Sequence, residues 1–414
     1  MDLRLQDNGR QFGMYPVFTE LFLYYKLSIA RCHISGHFCI ISLTINQNIK
    51  IMKKIKSRLP VLFLLSLGAF IFSSCKKSGT DGSSTSPGTT LEKGVYLAGH
   101  EDYYFAGAGK CIYWKNATSV YLTDASAEAS ANAIFISGND IYVAGGQSNN
   151  STSNNMATYW KNGTVVNLTN GSTSANINSI VVAGNDVYAA GYEKNSLNNQ
   201  VAKYWKNGTA VSLTDDTKYA SLKSIFISGI DVYAAGQEYN RVSNKYVAKY
   251  WKNGVAVILS DSTVEATAYS IFIAGSDVYV CGNEQSKTTN KSVAKYWKNG
   301  VGTSLTDGSK DVIAKSIIVS GSDVHICGYE FGSKSTAKYW KNGTVTNLTD
   351  GTKYGRAFSL FISGTDVYVC GREEENSVSA GGLIDVAKYW KNGVVVTVGG
   401  NKKASTATSI FVVN

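Results

Sequence analysis

The feature that most constrains the fold of this chain is a short stretch, Tyr-Trp-Lys-Asn, that recurs at a nearly constant spacing. It is usually followed by Gly, and it contains every tryptophan of the 414-residue sequence. These are Trp114, Trp160, Trp205, Trp251, Trp297, Trp340 and Trp390. Successive copies are therefore 46, 45, 46, 46, 43 and 50 residues apart. A fixed period in this range is typical of repeat architectures.

Each repeat predicts four short strands. In the third repeat, the apolar residues 225–228 and then 232–235 flank a Gly-Ile-Asp turn. A polar loop leads to residues 247–252, and Asn-Gly then signals a tight hairpin into residues 255–259, because both turn residues tolerate positive φ. Four antiparallel strands in about 45 residues predict a propeller blade, which must stack on its neighbours to bury both faces. The recurring tryptophan is expected to pack between blades, and ligand stacking is the alternative.

The order of the strands predicts how the blades close into a ring. The chain enters the repeats with a second strand, near Val95, and ends with a first strand at residues 409–413. Pairing that last strand with residues 95–98, 111–115 and 119–122 leaves no free sheet edge across the ring. We therefore predict an all-β, seven-bladed β-propeller with four antiparallel strands per blade. Its closing blade has a C-terminal inner strand and three N-terminal strands.

Residues 52–75 have the features of a signal peptide. A basic start is followed by the apolar residues 59–72, which are too few and wrongly flanked for a spanning helix. Ser-Ser-Cys then ends the segment at Cys75, as in a lipobox. The alternative is an ordinary apolar segment with a chance cysteine.

The signal divides the chain into segments. Residues 1–51 precede it and are predicted to be a mis-assigned upstream extension. Residues 76–92 form a Gly/Ser/Thr-rich flexible tether, and residues 93–414 form the propeller. The whole chain has 40 basic and 30 acidic residues, but only 31 and 27 lie beyond Cys75. The small net positive charge of this part of the chain is not typical of a nucleic-acid-binding surface, so we expect no nucleic-acid partner.

With these repeats and this signal, the chain resembles secreted lipoproteins of the Bacteroidetes type that carry Tyr-Trp-Lys-Asn-Gly propeller repeats. The resemblance covers the signal and about residues 95–414. It implies cleavage before Cys75, a lipid on that cysteine, and a location in the cell envelope as an outer-membrane lipoprotein facing either side. The lipid would be the only contact with the membrane, and we expect a monomer.

Several repeated residues have a structural interpretation. Cys281, Cys327 and Cys370 occupy a position that is alanine in the other repeats, so buried free thiols are favoured over disulfides. His325 replaces a second-strand tyrosine and is expected to pack in its place. Aspartates end several fourth strands, and they favour turns over calcium because no Asp-x-Asp-x-Asp loop is present. These aspartates are Asp124, Asp215, Asp307 and Asp350.

Acidic and basic residues recur together in five repeats and predict cross-strand pairs near the loop between strands two and three. The acids are Glu193, Glu238, Glu284, Glu330 and Glu373, and the bases are Lys203, Lys249, Lys295, Lys338 and Lys388. Where the acid is Gln147, the base is Thr158. This coincidence favours a structural role.

The repeat is least regular at two loops that the predicted ring brings together. The loop after Cys370 is long and acidic, and the loop after Ala98 is rich in aromatic residues. Together they predict a polar and aromatic binding surface at blades six and seven; the alternative is that loops near the closure simply drift. The candidate binding residues are His100, Glu101, Tyr103, Tyr104, Phe105, Arg372, Glu373 and Glu374.

Two functional hypotheses follow. The first is a lipid-anchored binding module or interaction scaffold for a glycan or protein partner, because exposed loops on a rigid scaffold suit recognition. The second is a glycan-active lyase or hydrolase that uses the loops of the last two blades. No catalytic triad, P-loop or metal-ligand spacing stands out, so we expect no cofactor or metal and favour the non-enzymatic hypothesis.

Overall fold

A computed structural model describes residues 91–102, 109–123, 128–377, 381–400 and 403–414. Its 28 strands form seven four-stranded antiparallel sheets arranged in a ring, so the predicted seven-bladed β-propeller is confirmed. The predicted signal, Cys75 and almost all of the tether lie outside the described residues. No helix in the described part of the chain is long and apolar enough to span a membrane.

The blades are numbered one to seven from residue 129 onward, and the seventh closes the ring. The innermost strands are β4 (Ala129–Ser137), β8 (Ala175–Ala183), β12 (Ala220–Ser228), β16 (Ala266–Ala274), β20 (Val312–Ser320), β24 (Gly355–Ser363) and β28 (Ala404–Val413). The second strands are β5 (Asp140–Ser148), β9 (Asp186–Lys194), β13 (Asp231–Asn240), β17 (Asp277–Gln285), β21 (Asp323–Glu330), β25 (Asp366–Ser377) and β1 (Gly94–Asp102).

The two outer strands complete each blade. The third strands are β6 (Asn155–Lys161), β10 (Gln200–Lys206), β14 (Lys245–Lys252), β18 (Ser292–Lys298), β22 (Thr336–Lys341), β26 (Gly382–Lys391) and β2 (Lys110–Lys115). The outermost strands are β7 (Thr164–Asn167), β11 (Thr209–Ser212), β15 (Val255–Ile258), β19 (Val301–Ser304), β23 (Thr344–Asn347), β27 (Val394–Thr397) and β3 (Thr118–Tyr121).

The ring closes as predicted, through β28. This strand pairs with β1, where Ile410 lies opposite Leu97, and the sheet continues through β2 to β3. The Phe411 ring lies 5.4 Å from Phe135 of blade one and 4.7 Å from Phe361 of blade six, measured between centroids. One C-terminal strand therefore joins the two neighbouring blades.

The recurring tryptophans pack between blades, as predicted. Each is at most 1% exposed. Trp297 of blade four lies in one buried cluster with Tyr233, Ala235 and Ala248 of blade three. A residue of this size in every blade makes each blade face complementary to the next.

The Lys-Asn-Gly part of the repeated motif stabilises the turn between the third and outermost strands of the blade. In blade two, Asn207 (φ 49°) and Gly208 (φ 84°) form the Asn-Gly turn. The Asn207 amide accepts the Val187 N–H at 2.9 Å and donates to the Asp186 carboxylate at 2.7 Å. Lys206 pairs with the same carboxylate at 2.8 Å. The motif is therefore scaffold from its tryptophan to its asparagine.

Each innermost strand contains a β-bulge, which the sequence did not predict. In blade three the register shifts between Leu222 and Ser224, so Lys223 has no partner on β13. Gly236 lies opposite, and a Cβ there would stand 2.1 Å from the Ser221 carbonyl oxygen. Only glycine permits this approach, and the bulge leaves Lys223 as the extra, unpaired residue of the innermost strand.

Cys281, Cys327, Cys370 and His325 have the predicted packing roles, and Cys111, for which no role was predicted, is buried as well. The four cysteines within the described residues are free and buried: Cys111, Cys281, Cys327 and Cys370. His325 is 5% exposed, and its Nδ1 lies 2.6 Å from the Tyr339 hydroxyl.

The aspartates that end fourth strands form turns. Asp215 accepts the backbone N–H of Thr217 at 2.9 Å, and Asp307 and Asp350 make the equivalent bond to the residue two positions on. The turn interpretation is therefore confirmed for these three residues. Asp124 lies outside the described part of the chain.

Candidate functional site

The two faces of the propeller differ in regularity. One face carries the Gly-x-Asp and Asn-Gly turns, which repeat in nearly every blade. The other, here called the loop face, carries the connections from second to third strands and from outermost strands to the next blade. Because specific recognition needs residues that differ between blades, the loop face is where a single site is expected.

The irregular region of blade six is a long hairpin, which corrects its prediction as a loop. Strand β25 continues to Ser377, and β26 begins at Gly382. Glu374 lies opposite Asp385, and Glu375 opposite Ile384, which is 3% exposed. The sequence does not predict this strand extension, because it contains three consecutive glutamates. The apolar residues that pack there lie only on the partner strand.

An ion pair at the base of this hairpin forms the centre of the candidate site. Arg372 Nη1 lies 2.7 Å from Asp385 Oδ2, and both side chains are roughly one-third exposed. Burial raises the pKa of the Asp385 carboxyl, and the charge of Glu374 adds to this, whereas Arg372, Arg356 and His100 oppose it. Four charged or titratable groups therefore act on the Asp385 carboxyl here.

Arg356 joins this ion pair to aromatic residues of blade five. Its guanidinium carbon lies 5.0 Å from the centre of the Tyr329 ring and 5.5 Å from that of Phe331. Its Nε donates to Ser335 Oγ at 3.3 Å. Phe331 is 38% exposed, so an aromatic face remains available to solvent beside the arginine.

Glu374 is held by Lys334 of blade five and by Tyr354, which directly precedes β24 of blade six. Its carboxylate lies 3.4 Å from Lys334 Nζ and accepts the Tyr354 N–H at 3.2 Å. Lys334 Nζ also lies 4.0 Å from the centre of the Tyr354 ring. We call the resulting surface the hairpin patch, and it consists of Tyr329, Phe331, Lys334, Arg356, Arg372, Glu374 and Asp385.

Of the candidate binding residues, Arg372 and Glu374 lie in the hairpin patch. His100 lies on β1 of the neighbouring blade, within electrostatic range of Asp385. Glu373, the residue between Arg372 and Glu374, is half-buried, and burial raises the pKa of its carboxyl. Tyr103, Tyr104 and Phe105 lie outside the described residues.

Glu101 has a different environment from the other candidates. It is 6% exposed, and its carboxylate accepts the Tyr121 hydroxyl at 2.7 Å and lies 3.6 Å from Lys403 Nζ. Tyr121 lies on β3, the outermost strand of blade seven, and Lys403 directly precedes β28, its innermost strand. Glu101 is therefore a packed residue of that blade.

The predicted Glu–Lys pairs form in four blades, at 2.7 to 3.0 Å. The fifth prediction is wrong, because Lys388 pairs with Glu375 and not with Glu373. The longer hairpin brings a second acid within reach of Lys388, which is only 4% exposed and also donates to Thr397 Oγ1 at 3.0 Å.

The seven bulged residues occupy one equivalent position, yet they differ from blade to blade. From blade one to blade seven they are Asn132, Asn178, Lys223, Tyr269, Lys315, Phe358 and Thr408. Innermost strands line the central channel of a propeller, so the channel differs from blade to blade at this level. Comparing the repeats position by position would have revealed it, but the polar side chains interrupt the apolar runs used to find strands.

Three of the bulged side chains bond to the next blade. Asn132 donates to the Ile177 carbonyl at 2.7 Å, and Asn178 to the Leu222 carbonyl at 2.6 Å. Thr408 donates to the Ala131 carbonyl at 2.6 Å. These residues of blades seven, one and two therefore have their donors occupied.

The other four form what we call the channel half-ring: Lys223, Tyr269, Lys315 and Phe358. Lys315 Nζ lies 3.8 Å from the centre of the Tyr269 ring. Burial, together with the positive charge of Lys223, lowers the pKa of Lys315 to about 8. The Phe358 ring lies 6.0 Å from Tyr329, so the half-ring adjoins the hairpin patch.

Two cavities lie elsewhere. One of about 250 Å³ in blade three is lined by Glu238 and Arg241, and Lys218 and Lys249 pair with Glu238 at its wall. The other, of about 730 Å³, lies between blades one and two beside Trp205. Among the described residues, no group of three or more His, Cys, Asp or Glu could hold a metal ion.

No family model and no curated protein matches the chain. Among solved structures, it is similar to the acylaminoacyl peptidase of Pyrococcus horikoshii, with 12% identity and a TM-score of 0.48 over 75% of this chain and 52% of that one. A puromycin-hydrolyzing peptidase of Mycobacterium tuberculosis gives 10% identity and a TM-score of 0.47, over 74% and 54%. The chain thus spans about half the length of these two proteins.

The β-propeller domain of the Trilobed protease from Pyrococcus furiosus is also similar. That domain has an open velcro topology, and it gives 9% identity and a TM-score of 0.47 over 76% of this chain and 95% of that one. At these identities the likeness concerns the propeller fold alone.

Proposed function

We propose that this protein is a lipid-anchored binding module of the cell envelope that holds a glycan or protein partner against the hairpin patch. The observation that carries the proposal is the departure from symmetry at this patch. The patch brings together Arg356, Arg372 and Asp385 beside the exposed Phe331. The face that carries the Gly-x-Asp and Asn-Gly turns, in contrast, is nearly the same in every blade.

The chemistry of the patch suits a polar ligand with an apolar face. Phe331 and Tyr329 offer aromatic surface, and the guanidinium groups of Arg356 and Arg372 can donate several hydrogen bonds in a fixed plane. Five members of the patch, Tyr329, Arg356, Arg372, Glu374 and Asp385, lie on paired strands, which hold such groups more rigidly than a free loop. Its charges are nearly balanced, which favours a ligand recognised by hydrogen bonds over one held by charge alone.

A glycan-active enzyme is the second candidate, and the pair Glu374 and Asp385 favours it. Two carboxyl groups opposite each other, one with a raised pKa, suit general acid–base work on a glycosidic bond. Each acid already has a basic partner, Arg372 for Asp385 and Lys334 for Glu374. These pairings favour binding over catalysis.

A glycan array probed with the purified protein tests the binding proposal. We expect the double variant Arg372→Ala/Glu374→Ala to lose the bound glycan while its melting temperature changes little. The matched control is Tyr239→Ala/Arg241→Ala in the hairpin of blade three. Equal binding by both variants would place the site elsewhere, for instance in the cavity between blades one and two. An array on which no glycan is bound would exclude a glycan as the partner.

The same array separates the two candidates. Glycans that bind without being shortened support the binding module. Release of reducing ends from a bound glycan, abolished by Asp385→Asn, would favour the enzyme instead.

The membrane anchor needs its own test, since the proposal includes lipidation of Cys75. We expect Cys75→Ser to block processing and to release the protein from the membrane fraction. A variant that stays in that fraction at the original level would contradict the lipoprotein assignment.

A further inference from the structure

The channel half-ring alternates between cationic and aromatic side chains in four consecutive blades. Lys223, Tyr269, Lys315 and Phe358 belong to blades three to six. The remaining three bulged residues are shorter, and their donors are occupied by neighbouring backbone. The bulged residues of blades seven, one and two are therefore short and bonded to the backbone, whereas those of blades three to six are long, and Lys315 and Tyr269 among them are in contact.

The two lysines of the half-ring have no acidic partner. Across the described residues, neither ammonium group lies within salt-bridge distance of a carboxylate. In the same blades, Lys249 and Lys338 each pair with a glutamate at 3.0 Å. Both channel lysines are partly buried, and the positive charges of Lys223 and Arg356 act on Lys315.

Such an arrangement costs free energy unless a ligand compensates it. A partly buried ammonium group loses hydration and is normally retained only with an opposite charge nearby. Low-dielectric walls also strengthen the attraction of a channel of one sign for the opposite ion. Tyr269 and Phe358, next to the lysines, would contact an apolar surface and not a second charge.

We propose that the channel half-ring binds an organic carboxylate that has an apolar face beside the charged group. An acidic sugar and an aromatic acid both have this chemistry. The carboxylate would accept hydrogen bonds from Lys223 and Lys315, and its apolar face would lie against Tyr269 or Phe358. This site deepens the proposed function, on which it rests, because a glycan held at the hairpin patch would place its acidic unit in the adjoining channel.

Calorimetric titration of the purified protein with four small probes tests the site. The probes are D-glucuronate, 4-hydroxybenzoate, acetate and D-glucose. We expect glucuronate or 4-hydroxybenzoate to bind, acetate to bind roughly tenfold more weakly, and glucose not to bind, because only the first two combine both features. Preference between the first two identifies the source as an acidic sugar or an aromatic acid.

Matched variants show whether the channel lysines are responsible. Lys315→Met and Lys223→Met should each weaken binding roughly tenfold or more, and Lys315→Arg should retain most of it, because it keeps the charge. The control Lys287→Met removes a lysine that is 63% exposed and paired with Asp261, and it should bind like the parent. Absence of binding by all four probes, or equal binding by Lys315→Met and Lys287→Met, would overturn the proposal.

A measurement on the unaltered protein covers the case in which a variant folds poorly. Reductive methylation followed by peptide mass spectrometry should show that the bound carboxylate slows modification of Lys315 but not of Lys287. Equal modification with and without the probe would also overturn the proposal. If Lys315→Met loses glucuronate binding but still binds a glycan on the array, the channel site is separate from the hairpin patch. Glycan binding at the hairpin patch is tested independently by Arg372→Ala/Glu374→Ala.

Discussion

Gly282 and Thr267 approach so closely that a Cβ on the glycine would stand 1.9 Å from the threonine carbonyl oxygen. The equivalent distance is 1.8 to 2.1 Å in all seven blades. This contact accompanies the bulge that leaves Tyr269 without a paired residue on β17. The backbone device is thus constant, while the side chain that it presents changes from blade to blade.

Gly282→Ala should destabilise the protein by about 1–3 kcal/mol, because the new methyl group must displace backbone atoms. Denaturant unfolding measures this change. Gly382→Ala is the control, since a Cβ there meets nothing within 4 Å. If both variants unfold at the same denaturant concentration, the close approach is not what fixes glycine at this position.

Deletion of residues 409–414 should lower the free energy of unfolding by several kcal/mol. It removes Ile410 and Val412, which are buried, and burial of each such side chain stabilises by about 1.5–3 kcal/mol. It also removes Phe411, which contacts blades one and six. Truncation of residues 76–90 should have no effect on the melting temperature. A C-terminal deletion that melts at the parent temperature would contradict closure through β28.

Much of the fold could be predicted because its determinants are local and repeated. The spacing of tryptophans gave the period, Asn-Gly gave the outer hairpin, and the strand left over at residues 409–413 predicted the closure. The contacts of Asp186 with Lys206 and Asn207 were not predicted, although these residue types recur together in the repeats. Such pairs are invisible to periodicity, because they join turns that lie about twenty residues apart.

The candidate site was predictable only in part. Irregular length pointed to the region around Arg372 and Glu374, but the partners Arg356 and Asp385 depend on which strands pair in a long hairpin. Lys223 and Lys315 were missed for a different reason. They lie at a regular position of the repeat, where the backbone is conserved between blades and only the side chain differs.

Cys327→Ala should change the free energy of unfolding by less than about 1.5 kcal/mol, since the equivalent residue of blade three is Ala235. Cys327→Ser should cost more, because a hydroxyl would be buried in an apolar cluster. The thiol should also resist a thiol-specific reagent in the native state, since burial raises its pKa well above the usual range. Rapid labelling without denaturant would contradict this.

Glu375→Gln should destabilise the protein by about 1–3 kcal/mol, because it leaves the buried ammonium of Lys388 without its carboxylate. Glu373→Gln is the matched control. Burial raises the pKa of Glu373, so its charge is unfavourable in the fold and the amide should be neutral or slightly stabilising. Thermal unfolding at neutral pH compares the two variants. A larger loss of stability in Glu373→Gln than in Glu375→Gln would mean that Lys388 pairs with Glu373, as expected from the sequence.

The stability of the protein should depend on pH through Lys315. Burial and the charge of Lys223 lower its pKa in the folded state to about 8, from an ordinary value of 10.5, with Arg356 adding a weaker repulsion. Cys281 and Cys327 oppose this, and Tyr269 contacts the ammonium group through its ring.

Because the folded state releases this proton first, the unfolded chain binds more protons between these two pH values. The free energy of unfolding should therefore rise with pH across that window, and this contribution should be lost as pH falls through about 8. Lys315→Met cannot titrate, so its stability advantage over the parent should shrink between about pH 8 and 10. Parallel denaturant curves at several pH values measure the difference, with Lys287→Met as the control. A constant difference between the parent and Lys315→Met would mean that the ammonium of Lys315 is not perturbed by the channel.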